Sequence, residues 1–485
     1  MKNIYQGTMH NNNSHLTLFN TESRALEQVA PLNGHTILMY TCGPTVYNFA
    51  HIGNFRTYVF EDILRRTIKF FGMKVNQVMN LTDLDDKTLK GSIEKGVTLK
   101  EFTAPFTKAF FEDLDTLGIE RAEHYPAATD YIPDMIHIIE KLVQKGVAYV
   151  GSEKSIYFSI KHFPSYGRLS HLHLDELEAG ASDRIAADDY DKEHACDFVL
   201  WKSYEPDRDG QIFWESPFGR GRPGWHIECS AMAMRLLGET IDIHVGGVDN
   251  MFPHHENEIA QCEAYSEKHF VKHWLHAEHL LVDHKKMSKS LGNFYTLRDL
   301  LNKGYSGKEV RYALLQTHYR MQLNFTMQVL DAARNSLERL DAFVQRLRSI
   351  HEEVSQGHVQ PVLDKLFSAF KAAMGDDLNI SVALAALFEA VREINILCDA
   401  GKVSTKEANA VIDMLSLLDK VLNVIPLTVK EEEIPQDLTE ALQKRQKARE
   451  EKNWKEADHY RDLILSRGYI IDDTPSGARL KKQRK

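Results

Sequence analysis

The amino-acid sequence predicts an α/β protein built on a parallel sheet, and three observations carry this prediction. An apolar run at 36–40 ends in a glycine–proline break, and the apolar spacing is helical from Arg56 to Gly72. Alternation returns at 74–80, so these segments form one βαβ unit. Residues 241–247 are predicted to form another strand, which ends in a glycine turn. Between these parts the sequence is irregular and indicates an insertion.

Length and composition set the broad class. A chain of 485 residues is long enough for about three domains, and 43% hydrophobic with 26% charged residues is ordinary for a globular protein. No apolar run approaches the ~20 residues that span a bilayer, and the polar N-terminus has no signal-peptide core. The net charge of −10 argues against a generally basic nucleic-acid binder but leaves a local basic surface open. We expect a cytoplasmic protein without a membrane segment.

The cysteines do not form a disulfide pattern. They are odd in number and widely scattered, which favours a reducing compartment and makes metal ligation the more natural role for any that meet. The five positions are Cys42, Cys196, Cys229, Cys262 and Cys398.

The first candidate site is the start of the first long helix, where the sequence is His-Ile-Gly-Asn at 51–54. Free backbone N–H groups and the helix dipole favour an anion there, such as a triphosphate. Gly53 lets backbone approach a ligand closely, and His51 can donate to a phosphate oxygen. The alternative is a capped helix start with a satisfied histidine.

The end of the second strand is polar and acidic. Thr82 and Asp83 follow it, and ligands of open α/β sheets bind at the carboxyl ends of strands. Both side chains are therefore candidates to line a pocket. A cap for the following helix explains the same residues equally well.

Four residues have the chemistry of a zinc site. His254 and Glu258 are four apart, so a helix that begins at Pro253 presents them on one face. With Cys42 and Cys229 they would complete a tetrahedral set. Because the spacing is not that of a compact finger, the site exists only if the fold joins the segments. Otherwise both cysteines are small buried hydrophobes.

A second phosphate signal lies at 284–293. Lys286 and Lys289 are separated by Met-Ser in a loop closed by a glycine, and such ammonium groups suit developing charge on a phosphate chain. An exposed basic turn is the alternative.

The remainder of the chain is predicted to be mostly helical from 310 to 422, followed by an acidic linker at 431–433. From Asp437 onward thirteen Lys and Arg face nine Asp and Glu, so the C-terminal unit is basic on an acidic protein. One helical segment at 443–467 and the tail are predicted to contact a polyanion through Lys444, Lys447, Trp454, Arg461 and Arg479. A solvated charge run is the alternative.

Taken together, these motifs resemble a known family. The sequences at 51–54 and 286–290 resemble the two signature motifs of class I aminoacyl-tRNA synthetases. Three further motifs resemble the cysteinyl-tRNA synthetase family in particular: Cys-Gly-Pro-Thr-Val-Tyr, Trp-His-Ile-Glu-Cys-Ser and Phe-Pro-His-His-Glu-Asn-Glu. The resemblance extends from about Asn33 to the end of the chain.

The resemblance implies a Rossmann-type parallel-sheet catalytic core split by an insertion, followed by a helical bundle and a small C-terminal anticodon-binding domain. The predicted units in the first half of the chain are a peripheral N-terminal segment (1–30), the first half of the core (31–124) and the insertion (125–220). They are followed by the second half of the core with the lysine loop (221–305), a stem-contact region with the bundle (306–430) and the basic C-terminal domain (431–485).

The implied activity is the ATP-dependent conversion of L-cysteine to cysteinyl-adenylate and its transfer to the 3′ end of tRNA(Cys), without an editing domain. One Zn²⁺ per chain selects the thiol, ATP is used with Mg²⁺, and the enzyme is expected to be a monomer. The implied zinc ligands are Cys42, Cys229, His254 and Glu258. The implied catalytic and ATP-binding groups are His51, Gly53, Asn54, Lys286 and Lys289, and those around bound cysteine are Cys42, Thr82, Trp225 and Asp249.

Three positions depart from the family pattern, and about fourteen N-terminal residues have no counterpart. Asn54 stands where histidine is common, Phe55 where a small residue is expected, and Leu480 where related tails often carry tryptophan.

Two alternatives remain at this stage. One is a ligase that joins cysteine to an amino sugar and lacks the basic C-terminal unit. The other is a non-catalytic RNA-binding relative, against which both motif lysines and all four candidate ligands count.

Overall fold

The computed structural model describes residues 15–172, 197–288, 291–353, 357–428, 435–474 and 477–482. Its strands, in chain order, are β1 (Thr17–Asn20), β2 (Ala25–Gln28), β3 (Thr36–Thr41), β4 (Lys74–Met79), β5 (Ala148–Val150), β6 (Ile156–Phe158), β7 (Phe198–Ser203), β8 (Gly221–Pro223), β9 (Ile241–Gly247), β10 (Val271–Ala277), β11 (Leu280–Val282), β12 (Lys285–Lys286), β13 (Leu323–Phe325), β14 (Tyr469–Thr474) and β15 (Gly477–Lys482).

The helices are α1 (Ile52–Phe70), α2 (Asp86–Lys95), α3 (Leu99–Leu117), α4 (Ile132–Gln144), α5 (Pro206–Asp209), α6 (Trp225–Leu237), α7 (Val248–Asn250), α8 (Glu256–Ser266), α9 (Leu297–Asn302), α10 (Gly307–Leu315), α11 (Met327–Arg348), α12 (Val359–Gly375), α13 (Ile380–Asp399), α14 (Thr405–Leu422), α15 (Gln436–Glu450) and α16 (Trp454–Ser466). Two 3₁₀ turns and one π-helical turn complete the set: Ala128–Tyr131, Ile160–His162 and Met251–His255.

The central sheet has four parallel strands in the order β10-β9-β3-β4. This confirms the predicted parallel α/β fold. Side chains alternate along β3, so Ile37 and Met39 face α1 and the bundle, whereas Tyr40 faces the insertion and α6. Both faces of the sheet are therefore buried, which explains the continuous apolar run at 36–40.

A crevice opens where the strand order reverses. β4 lies on one side of β3, and β10 lies on the far side of β9, so the chain leaves the carboxyl ends of β3 and β9 in opposite directions. The N–H of Cys42 still donates to the Val245 carbonyl, at 3.1 Å. Ligands of doubly wound sheets bind at this switch point. Cys42 and the first signature motif follow β3, and His254 and Glu258 follow β9, whereas Cys229 lies on α6, which precedes β9.

The insertion contains a second, antiparallel sheet in the order β5-β6-β7-β8. An ionic group ties it to the core. Arg222 on β8 contacts both Asp209 and Asp86, and Lys202 on β7 contacts Asp86 at 3.1 Å. Since Asp86 begins α2, this group fixes the insertion beside the polar end of β4.

The bundle is joined to the first-motif helix by a buried ion pair. Asp62 on α1 and Arg311 on α10 have fully buried side chains and contact each other. Arg311 also donates from Nε to the Leu422 carbonyl at 2.8 Å and from a terminal nitrogen to the Leu117 carbonyl at 3.3 Å. The pair therefore satisfies the C-terminal carbonyls of α3 and α14, which helices cannot satisfy themselves.

Phe55, one of the departures from the family pattern, is fully buried. Its ring lies edge-on to Tyr58, with centroids 5.8 Å apart, inside the core between α1 and its neighbours. A large side chain is thus accommodated at this position.

The C-terminal unit corrects one prediction. The single helical segment expected at 443–467 is two helices, α15 and α16, because Lys452 takes a left-handed φ of 57° and the Asn453 side chain caps α16. The helices pack on the β14–β15 hairpin around a small core of their own. Leu480 packs against this core, so it has a structural role here. The predicted linker at 431–433 lies outside the described residues.

Among the helices of the described ranges, none is both long and apolar enough to cross a membrane.

Candidate active site and metal centre

The first signature motif forms a capping box. His51 is the N-cap of α1; its Nδ1 accepts from the Asn54 N–H at 3.2 Å, and Asn54 Oδ1 accepts from the His51 N–H at 3.1 Å. Since Nδ1 is an acceptor, the ring proton of neutral His51 is on Nε2 and is available to a ligand. Burial lowers the pKa of His51, while the charge of Asp249 opposes this shift. The histidine that caps the helix is therefore also the predicted phosphate donor.

The second motif lies against the first. Lys286 is exposed on β12, and a Cβ placed on Gly53 would lie 3.1 Å from Met287 Cε and 2.9 Å from His51 Nδ1. A side chain at position 53 would therefore displace the His51 ring or the end of Met287, so glycine allows the close approach of the two motifs. Ile52 N–H donates to the Tyr295 carbonyl at 3.0 Å, so in the first turn of α1 the Gly53 N–H is the amide without a partner among the described residues.

Asn293 closes the loop that carries the second motif. Its Oδ1 accepts from the Ser288 N–H at 2.8 Å, and its Nδ2 donates to the Lys286 carbonyl at 3.3 Å. The ends of the loop are thereby held together. Lys289 lies outside the described residues, so its position stays a prediction.

Thr82 lies at the carboxyl edge of the sheet, as predicted, and is buried. The Thr82 N–H donates to the Pro44 carbonyl at 3.0 Å, and Asn80 Nδ2 donates to Thr82 Oγ1 at 3.0 Å. A Cβ on Gly43 would lie 1.8 Å from the Asn80 carbonyl oxygen, so only glycine fits at that turn. The cap of α2 is Asp85, which removes the capping alternative for Thr82.

Asp83 does not enter the crevice. Its carboxylate accepts from the Thr129 N–H at 3.0 Å and from the Thr129 hydroxyl at 2.6 Å. These hydrogen bonds connect the segment after β4 to the turn that contains Thr129.

The four predicted metal ligands come together in one buried cluster. One ligand atom from each of Cys42, Cys229, His254 and Glu258 lies within 4.8 Å of all the others. The least buried of them, Cys42, is 8% exposed. The fold therefore joins the segments, which supports the metal-site interpretation over that of two unrelated buried cysteines.

The donor set and its contacts fit a metal ion. His254 Nε2 lies 3.1 Å from Glu258 Oε1, yet among the described residues no group hydrogen bonds to that oxygen. Two ligands of one tetrahedral zinc ion are about 3.4 Å apart, from bond lengths near 2.1 Å. Hydrogen bonding with Cys229 and burial raise the pKa of Cys42, and burial raises that of Glu258, because the anionic forms lack a nearby positive charge. A dication at this point would supply it.

A second set of groups overlaps the first: Cys42, His244, His255 and Glu258. In this set, however, the imidazoles hydrogen bond to ligands. His244 Nε2 is 3.0 Å from Glu258 Oε2, and His255 Nε2 is 3.3 Å from Cys42 Sγ. Similarly, His226 Nδ1 is 2.9 Å from His254 Nδ1. Outer partners of this kind orient metal ligands, which favours the first set as the ligands.

Trp225 lies beside the candidate ligands, and Asp249 lies near the first motif. The Trp225 ring stacks on His254, with centroids 4.2 Å apart and planes at 21°, and is 41% exposed. It forms a wall beside the candidate ligands. Asp249 acts electrostatically on His51, which places its charge on the first-motif side.

The predicted tRNA contacts have mixed surroundings. Lys444 is exposed, Lys447 is 4.0 Å from Glu451, Trp454 is 61% exposed, and Arg461 pairs with Asp458 at 2.7 Å. For Arg479 the structure describes only the backbone, which pairs with Asp472 across the β14–β15 hairpin.

Sequence reasoning gave no role to the histidines around the cluster or to Asn80. His244 was visible as a histidine within a buried strand, which is unusual unless it has a polar partner. No comparable signal marks Asn80, because its role depends on the neighbouring strand.

Comparison with known families gives two matches. A model described as the tRNA synthetases class I (C) catalytic domain matches residues 28–335, and one described as the DALR domain matches residues 369–425, within α12 to α14. The parallel sheet and the two signature motifs at its switch point therefore define a class I aminoacyl-tRNA synthetase.

Two relatives identify the particular family within this class. "Cysteine--tRNA ligase" of Protochlamydia amoebophila (strain UWE25) is 63% identical over 468 residues, covering 96% of this chain and 98% of that protein. "Cysteine--tRNA ligase" of Chlamydia muridarum (strain MoPn / Nigg) is 54% identical over 477 residues, covering 96% and 99%. The chain belongs to the cysteine--tRNA ligase family, as the resemblance implied.

Solved structures show the same fold at low identity. Mycobacterium tuberculosis methionyl-tRNA synthetase in complex with methionyl-adenylate has a TM-score of 0.58 at 12% identity, covering 81% of this chain and 88% of that one. Agrobacterium radiobacter K84 agnB2 LeuRS, in a ternary complex, has a TM-score of 0.57 at 13% identity, covering 82% and 85%.

Proposed function

We propose that the protein activates L-cysteine with ATP and transfers it to the 3′ end of tRNA(Cys). The observation that carries this proposal is the meeting of the two signature motifs beside the buried Cys42, Cys229, His254 and Glu258 cluster. One crevice thus combines a phosphate site with a site that has the donor chemistry for a thiol-binding metal.

In the activation step, the cysteine carboxylate attacks the α-phosphorus of ATP and pyrophosphate leaves. No protein nucleophile is needed, so the contribution of the protein is positioning and charge stabilisation. The Gly53 N–H, His51 Nε2–H and the ammonium groups of Lys286 and Lys289 are the donors for the phosphates, and Asn54 holds His51 in the required tautomer. ATP is used with Mg²⁺.

Amino-acid selection is assigned to zinc held by the four-residue cluster. When bound, zinc supplies a soft Lewis acid that favours a substrate thiolate over a hydroxyl. Rejection of an isostere by apolar packing gives about 10–200-fold, whereas a lost coordinating or polar contact gives ~10⁴–10⁵. The Trp225 ring stacks on His254, and Thr82 lies at the carboxyl edge of the sheet, which supports their proposed contact with cysteine. Asp249 is proposed as a further contact of the bound cysteine, and its charge also acts on His51.

The predicted division of labour along the chain stays a proposal. The core halves at 31–124 and 221–305 bind ATP and cysteine, 125–220 is an inserted connective domain, and 306–430 contacts the tRNA stem. The basic unit at 431–485 reads the anticodon. The cytoplasmic location and the monomeric state stay predictions.

The reaction is tested by ATP–pyrophosphate exchange. We expect exchange that depends on cysteine and is not supported by serine, followed by charging of tRNA(Cys) when tRNA is added. Exchange without charging of any tRNA would favour the amino-sugar ligase, and absence of exchange with cysteine would favour the non-catalytic relative.

A deletion from Asp437 tests the C-terminal assignment. The small core around Leu438 and Ile464 is separate from the main core, so the rest of the chain should keep its fold. Pyrophosphate exchange is expected to stay close to wild type, while kcat/KM for tRNA falls and its salt dependence becomes shallower, because phosphate contacts are lost. Full charging by a folded, truncated protein would contradict the assignment.

A further inference from the structure

A chain of hydrogen bonds runs from the N-terminal hairpin to a candidate metal ligand. Thr21 Oγ1 is 2.8 Å from His276 Nδ1, His276 Nε2 is 2.8 Å from His255 Nδ1, and His255 Nε2 is 3.3 Å from Cys42 Sγ. His255 is fully buried, and His276 is 5% exposed. Thr21 lies in the turn between β1 and β2, outside the central sheet.

The donor and the acceptor in each of these hydrogen bonds follow from the bond at Cys42. A cysteine that ligates a metal is a thiolate and can only accept, so His255 must donate from Nε2. A neutral imidazole has one N–H, so His255 Nδ1 accepts from His276 Nε2–H. His276 Nδ1 then has no proton, and the Thr21 hydroxyl must donate to it. Both rings are buried and lie against each other, which disfavours a charge on either ring, so both are neutral.

The backbone of Thr21 is fixed at the edge of the central sheet. Its N–H donates to the Trp274 carbonyl at 2.8 Å, and its carbonyl is 3.3 Å from His171 Nε2. Asn20 Oδ1 accepts from the Trp274 N–H at 3.0 Å. These hydrogen bonds attach the turn to β10, and they hold the Thr21 hydroxyl beside His276.

We propose that Thr21 is a positioning residue for the metal centre, whose hydroxyl sets the tautomers of His276 and His255 so that an N–H points at the Cys42 sulfur. The proposal rests on the proposed function in one respect, namely that Cys42 ligates the metal. It gives the N-terminal hairpin a role in amino-acid selection, because the hydroxyl that donates to His276 belongs to the hairpin and not to the central sheet.

The test compares three variants of the full chain. Thr21→Val keeps the shape but removes the donor, Thr21→Ser restores it, and Thr17→Val makes the same change at a hairpin hydroxyl that donates to the Gly375 carbonyl instead, at 3.1 Å. Zinc affinity is measured by competition with a chelator, and the thiolate-to-metal absorption band is measured after cobalt substitution. We expect Thr21→Val to weaken zinc binding about 10–100-fold and to shift the band. Thr21→Ser and Thr17→Val should match wild type.

Each outcome separates this inference from the proposed function. Wild-type zinc affinity and an unshifted cobalt band in Thr21→Val would overturn the inference and leave cysteine activation intact. A wild-type protein that binds no zinc would instead remove the metal from the proposed function, and the inference with it. If Thr21→Val does not fold, as judged by circular dichroism, Thr21→Ala removes the same donor without adding bulk and is held to the same expectation.

Discussion

Replacing Cys229 by serine is expected to abolish stoichiometric zinc binding and most of the discrimination between cysteine and serine. Cys229 is 1% exposed and is one of two thiols in the four-residue cluster. A hydroxyl is a poor ligand for a soft metal, so the remaining three groups should hold zinc weakly. Discrimination that rests on a coordinating contact is ~10⁴–10⁵-fold. Without that contact, the preference for cysteine over serine should fall toward about 10–200-fold, which is what packing provides.

Metal content by elemental analysis and exchange with each amino acid measure this result. Cys262→Ser is the matched control, because Cys262 is equally buried on α8 but is not a member of the cluster. Wild-type protein that contains no zinc yet activates cysteine selectively would refute the selection argument. Loss of zinc in Cys262→Ser as well would show that the effect is one of general packing.

Replacing Lys286 by alanine is expected to slow adenylate formation by about 10²–10³, the scale of one lost electrostatic donor. Lys286 is exposed on β12, next to Met287, which contacts the first motif at Gly53. Because its ammonium acts on charge that develops during the reaction, the loss should appear in kcat and much less in the KM for cysteine. We expect Lys289→Ala to behave in the same way.

Lys285→Ala is the control for this change. Lys285 precedes Lys286 on the same two-residue strand, so its side chain points to the opposite face, and the local net charge changes equally. Single-turnover formation of adenylate separates the chemical step from cysteine binding. An equal loss in both lysine variants, or a loss confined to the KM for cysteine, would show that the hairpin acts through structure or general charge.

Local sequence patterns alone determined the elements that carry the chemistry. β3 follows from an apolar run bounded by a turn, since burial on both faces of a sheet demands it. β4 follows from the alternation at 74–80, and β9 from a strand pattern that ends in a glycine turn. The start of α1 was visible from the His-Ile-Gly-Asn sequence, although the helix begins at Ile52, before its apolar spacing is evident at Arg56. The break at Lys452 was missed because the residues around it are compatible with continued helix.

Several choices between equally good local interpretations were decided only by the tertiary structure. His51 could be a cap or a phosphate donor; the structure shows the cap, and the use of Nδ1 in it leaves the Nε2–H for the proposed phosphate contact. Cys42 and Cys229 could be ligands or apolar filling, and nothing near either residue in sequence distinguishes the two. The distinction depends on β3 and α6 bringing both thiols to His254 and Glu258.

The tertiary structure also decides which of the neighbouring histidines is the candidate metal ligand. His254 and His255 are adjacent in sequence and both buried, yet one faces Glu258 Oε1 and the other hydrogen bonds to Cys42 and His276. Sequence spacing fixes which residues share a helix face. Which nitrogen meets a metal, and which only orients a ligand, depends on contacts between β9, β10, α8 and the N-terminal hairpin, and those contacts exist only after distant segments have packed together.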